Sequence, residues 1–187
     1  MNARTLIGVV LAGSAVALPA AARDDTPAAP KLPTEQHQQL NRLVGFWDVA
    51  TRFKAGPDQF REGTATCETR WVLDGHVLRQ QYNSTVNGQP FTVLQLLGYD
   101  TGKKKFFEIK FDNMDTGVLH NEGTISADGK VLTLTGERID PRTGAAAKIR
   151  SVTTVTDANH YTLEWFLAGA DGKEEKIVTL THTRKKP

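Results

Sequence analysis

The chain has 187 residues, and its 23 Lys and Arg stand against 21 Asp and Glu for a formal charge of +2. So even a balance offers no electrostatic grip on nucleic acid or on an anionic membrane. Cys67 is the only cysteine, which excludes an intramolecular disulfide and leaves stability to the hydrophobic core.

Residues 1–22 have the build of a signal peptide. Arg4 supplies the positive start, Leu6 to Leu18 an apolar run too short to span a membrane, and Ala20-Ala21-Ala22 the small residues for cleavage near Ala22. An Ala- and Gly-rich leader of this kind predicts a bacterial protein that is periplasmic or secreted. In Leu11-Ala12-Gly13-Ser14 a serine occupies the place where a lipid-bearing cysteine would be needed, so no stable membrane anchor is expected. Removing the leader takes away one charge, Arg4, and leaves 22 basic and 21 acidic residues. Residues 23–33, with Pro27, Pro30 and Pro33, read as a flexible linker, and residues 34–187 as one domain. Thr34 can cap a short helix running to Val44, with Leu40, Leu43 and Val44 on one face and Gly45 as its stop. Such a helix is the right size to plug one end of a barrel.

Beyond it, turn dipeptides recur. Asp74-Gly75, Asn87-Gly88, Thr101-Gly102, Asp128-Gly129 and Asp171-Gly172 separate runs of alternating apolar and polar residues, the strongest local signal for β-hairpins. The intervals between successive glycines are 13, 14, 27 and 43 residues, which fit one, one, two and three strands with their turns. The pattern predicts ten strands, at 46–54, 62–72, 76–85, 90–100, 104–112, 117–126, 130–139, 147–156, 160–168 and 174–184. Closing them into an up-and-down antiparallel barrel removes both exposed edges. A two-sheet sandwich is the competing all-β architecture, but sequential short hairpins suit it less well.

Alternation assigns inward faces. Trp47, Val49, Thr51 and Phe53 share one, Cys67, Thr69 and Trp71 another, as do Tyr161, Leu163, Trp165 and Leu167, and Val178, Leu180, His182 and Arg184. The parity of Cys67 makes it a core thiol. The fifth strand is ambiguous, because Phe107, Ile109 and Phe111 form its apolar face while Phe106 sits with Glu108, Lys110 and Asp112.

The arrangement Gly45-Phe46-Trp47 at the first strand and Arg184 on the last resembles the structural signature of lipocalins and the wider calycin group, in which the Arg covers the indole and closes one barrel end. Further strings are Leu43-Val44-Gly45-Phe46-Trp47, Arg70-Trp71-Val72-Leu73-Asp74-Gly75, Leu97-Gly98-Tyr99-Asp100, Asp112-Asn113-Met114-Asp115-Thr116-Gly117, Glu122-Gly123-Thr124 and Leu132-Thr133-Leu134-Thr135-Gly136. In that order they are similar to a bacterial domain-of-unknown-function family, number 1579, over residues 35 to 184. The resemblance implies a lipocalin-like closed barrel and no established activity. Lys110 stands where the family's fifth strand carries an aromatic residue.

Catalytic signatures are missing. There is no G-x-S-x-G, H-E-x-x-H, C-x-x-C or G-x-G-x-x-G. The histidines at 37, 76, 120, 160 and 182 include no pair at metal-ligand spacing on one element, so no metal and no cofactor is implied. His37, His76 and His160 are expected in solvent. His120 and Glu122, two apart on a strand, would form a polar anchor if they point inward and an ordinary exterior face if they do not. Asp112 and Asp115 are turn formers before they are ligands. The expectation is therefore a non-enzymatic barrel holding a small apolar or amphiphilic molecule, its wall from Trp71, Tyr82, Phe91, Phe107 and Trp165 and its polar anchor from Gln95, His120 or Glu122. The alternatives are an enzyme or haem protein that uses His182 or His120, and a packed barrel with a structural or interaction role. A homodimer is compatible with each.

Overall fold

The structure, a computed structural model, describes residues 33–139, 144–169 and 171–186. The expected signal peptide and nearly all of the linker lie outside them. A closed antiparallel barrel of ten strands runs in simple sequential order: β1 (Gly45–Gly56), β2 (Gln59–Val72), β3 (Val77–Val86), β4 (Gln89–Asp100), β5 (Lys105–Asp112), β6 (Leu119–Ile125), β7 (Val131–Ile139), β8 (Ala146–Val155), β9 (His160–Ala168) and β10 (Glu174–Arg184), with β10 pairing back onto β1. No sandwich forms, because the first and last strands satisfy each other's edges from Trp47 opposite Arg184 to Phe53 opposite Val178.

Turn chemistry explains most of the connections. Asn87 (φ 51°) and Gly88 (φ 78°) are both left-handed, as a two-residue hairpin with the right twist requires. At Thr101-Gly102 the local solution differs from the expected tight turn: Asp100 Oδ1 accepts from the Gly102 and Lys103 amides, and Lys104 (φ 55°) is the residue with positive φ. The first hairpin is also tighter than expected. β1 and β2 run on to Gly56 and from Gln59, and Asp58 (φ 54°) turns the chain.

The expected helix is shorter and mixed. α1 covers Glu35–Gln39, and Leu40–Leu43 tightens into a 3₁₀ turn before Val44 becomes extended. Its last carbonyls find partners from the barrel, since the Trp47 indole donates to Leu43 O at 3.0 Å. Leu40 and Leu43 are buried in one cluster with Trp47, Leu132 and Tyr161 and so stopper this end. Arg184 clamps the stopper. Its guanidinium lies 4.1 Å over the Trp47 ring and donates to Val44 O at 2.8 Å and Ala158 O at 2.8 Å. Gly45 is required there twice over, because its φ is +139° and a Cβ would collide with the Arg184 guanidinium. His37, expected in solvent, is only 2% exposed. It accepts from the Thr34 hydroxyl at 2.8 Å and the Thr34 amide at 3.2 Å through Nδ1, and packs against the Trp71 and Tyr99 rings.

Candidate functional site

The barrel interior has three storeys, set by which inward residues each strand contributes. At the stoppered end lies an aromatic and thiol core. His182 is fully buried, its ring stacked 3.8 Å from Tyr161 and its Nε2 3.3 Å from the Tyr82 hydroxyl. Burial pushes its pKa down to about 3, so it is a neutral imidazole at physiological pH. Burial also raises the Cys67 thiol to about 11, against the opposing help of hydrogen bonds from Thr69 and the two tyrosines. Neither group is poised for nucleophilic or acid–base work near neutral pH.

The middle storey is polar. Glu108 is 1% exposed, and its carboxyl collects three donors: Gln95 Nε2 at 2.8 Å on one oxygen, and Asn121 Nδ2 at 2.6 Å and Ser151 Oγ at 2.9 Å on the other. Side chains from three other strands, β4, β6 and β8, thus converge on the one acid of β5. Burial raises the Glu108 pKa despite the Asn121 and Ser151 hydrogen bonds, which favour the charged form.

Above it, at the end away from the helix, the barrel opens. A cavity of about 70 Å³ is lined by Thr51, Phe53, Tyr82, Phe91, Gln95 and Trp165 among others, and Lys110 is the single charged side chain in its wall. An outer chamber of about 330 Å³ shares Phe53, Lys110, Trp165 and Val178 with it and adds Asp112, Asp115 and Arg138 at the mouth. Lys110 Nζ sits 4.6 Å over the Trp165 ring and 3.2 Å from Asp112. Burial lowers its pKa, against the pull of Asp112 in the other direction. Val118 and Ile139 line the outer chamber while 57% and 56% exposed, so the apolar lining continues onto the rim.

Of the eight wall and anchor candidates, Tyr82, Phe91, Gln95 and Trp165 line the inner cavity. The other four do not reach it. Trp71 faces inward but belongs to the stoppered end, where its indole donates to Asn41 Oδ1 at 2.7 Å. Phe107 points out of the barrel and folds over Gly98, its register partner, where a Cβ would stand 2.6 Å from the ring. His120 is on the outer surface with its side chain 51% exposed. Glu122 is outside too, where it pairs with Lys103, Lys105 and His120. Of the expected anchors Gln95, His120 and Glu122, Gln95 alone lines the inner cavity, where Lys110 also stands. His182, the histidine of the haem and enzyme alternatives, is buried at the stoppered end and lines neither chamber, and His120 stands on the outer surface. Asp112 and Asp115 spend one oxygen each on loop amides, Asp112 on Met114 and Asp115 and Asp115 on Gly117. Among the described residues no group of three or more His, Cys, Asp or Glu side chains is placed to hold a metal ion.

A stoppered end, an Arg–Trp closure and an open apolar chamber define a lipocalin-like barrel. Over residues 32–184 the sequence matches the family described as Protein of unknown function (DUF1579), and the chain belongs to that family. No curated protein matches it. Among solved structures, it is similar to the crystal structure of Rv2717c from M. tuberculosis, with a TM-score of 0.57 at 15% identity over 82% of this chain and 99% of that one. It is also similar to the S-type phycobiliprotein lyase CPES from Guillardia theta, with a TM-score of 0.55 at 13% identity over 84% and 99%. At these identities the likeness is one of fold.

Proposed function

We propose that this protein is an exported bacterial binding protein that holds a small apolar or amphiphilic molecule in the open half of its barrel. The observation that carries the reading is the pair of connected chambers walled by Phe53, Phe91, Val93, Leu163 and Trp165, since an apolar hollow with a few convergent polar groups is the common form of a small-molecule site. A barrel built only for packing would fill that volume with side chains, as the stoppered end does. Export is supported by the build of residues 1–22, and a periplasmic fraction containing protein cleaved near Ala22 tests it.

Binding is tested with a neutral, environment-sensitive dye such as N-phenyl-1-naphthylamine. Saturable fluorescence enhancement is expected for the native protein and its loss in Ala65→Trp, which places an indole in the inner cavity from a wall position. Absence of saturation, or unchanged binding in a folded Ala65→Trp variant, would refute the reading.

A further inference from the structure

Resting on that binding reading, the geometry points to a ligand class: an amphiphile with one anionic headgroup, its tail in the inner cavity and its head between Lys110 and Arg138 at the mouth. Four observations lead there. The inner cavity is walled almost entirely by carbon, with Lys110 as its one charge, so a tail belongs inside and a charge of opposite sign beside that ammonium. Lys110 has three N–H donors and, among the described residues, one hydrogen-bond acceptor, Asp112 Oδ2 at 3.2 Å. The acids at the mouth are differently placed. Asp112 Oδ1 already takes the Met114 and Asp115 amides at 3.0 Å each, and Asp115 Oδ1 takes the Gly117 amide at 2.9 Å. These carboxylates are held by backbone and lysine donors and do not face the inner cavity, whereas the cation does.

Arg138 is the second arm. It lines the outer chamber with Lys110, and its charge is near enough to disfavour the Lys110 ammonium. Its ion partner Asp115 stands at 3.9 Å, beyond a good hydrogen bond, with the Arg138 side chain 51% exposed. Two cations that repel one another across a chamber are both relieved by one anion between them. A carboxylate there would accept from the Lys110 ammonium and the Arg138 fork in a partly desolvated setting, where charge-assisted hydrogen bonds are strongest. A cationic head would instead meet these two like charges, while the Asp112 and Asp115 carboxylates of the same chamber already answer Lys110, Arg138 and the loop amides. The inner volume of about 70 Å³ takes the end of the tail, and the rest of the chain or ring lies in the outer chamber of about 330 Å³.

The test compares three probes that share one tail: octanoate, 1-octanol and octyltrimethylammonium, each titrated by calorimetry. Octanoate is expected to bind about tenfold or more tightly than octanol, with the ammonium probe weakest, the size of effect one charge-assisted contact supplies. The octanoate-to-octanol ratio should collapse toward one in Lys110→Met and persist in Lys110→Arg. A ratio near one in the native protein, a ratio that survives Lys110→Met, or a preference for the ammonium probe would overturn the anionic-head assignment while leaving the binding reading intact. If no probe binds saturably, both fall together. Should Lys110→Met fail to fold, the native ratio and its retention in Lys110→Arg decide the matter.

Discussion

Glu108 is where the interior is most exposed to test by substitution. Replacing it with Ala removes the acceptor of Gln95 Nε2, Asn121 Nδ2 and Ser151 Oγ at once. Each buried donor left without a partner costs about 1–3 kcal/mol, while removal of a buried carboxyl relieves part of that by ending its own desolvation penalty. The net loss for Glu108→Ala should be about 3–5 kcal/mol. Glu108→Gln is far milder. Its amide oxygen can still take Asn121 and Ser151, and a flip of the Gln95 amide turns its carbonyl toward the new N–H donor, so the expected cost at neutral pH is below about 1 kcal/mol. Equilibrium unfolding in urea, with an unchanged slope for each variant, measures both. The pH dependence gives a second reading. Because the folded pKa of Glu108 is raised, the folded state keeps its proton to higher pH than the unfolded chain does. That contribution to stability is complete below the ordinary glutamate value and disappears as pH rises through the folded pKa. His182, depressed to about 3, acts in the opposite sense, its stabilisation being lost as pH falls from about 6.5. The difference between native protein and Glu108→Gln cancels His182, and the variant should gain relative to the native protein as pH rises. A cost under about 1 kcal/mol for Glu108→Ala, or a pH-independent difference, would show that the three donors do not depend on this acid.

Two further outcomes probe the stoppered end. Trp47→Ala removes a ring that is 1% exposed and that carries both the Leu43 hydrogen bond and the Arg184 contact; a loss of about 3–5 kcal/mol in unfolding free energy is expected, and one below about 1 kcal/mol would contradict closure through this pair. Cys67, 2% exposed and with its thiol pushed up to about 11, should react with a maleimide only as fast as the barrel opens and quickly once unfolded, whereas rapid stoichiometric labelling of native protein at neutral pH would place it outside the core.

Closure and strand number were legible from turn dipeptides and period-two alternation, because each is a local consequence of backbone twist and of one buried face. The open chamber was half legible, and the missing half has a single cause. In β5 both faces carry a large apolar residue, Phe106 on one and Phe107 on the other, and local hydrophobicity favours the face with Phe107, Ile109 and Phe111. The barrel takes the opposite face. β4 already commits Gln95 and Leu97 inward, and these are the register partners of Lys110 and Glu108. Phe107 falls opposite Gly98 on the outside, where the absent side chain leaves room for its ring. Once Glu108 is inside, its partner Asn121 on β6 must be inside as well, and that sends His120 and Glu122 out, opposite Ile109 and Phe107. Three misplaced candidates therefore follow from one parity. What makes an inward Glu108 tolerable is invisible to any local window, because its donors stand 13, 13 and 43 residues away. A strand with two plausible faces is better assigned by its neighbours than by its own apolarity, and here a glycine across the ladder from one phenylalanine was the available sign.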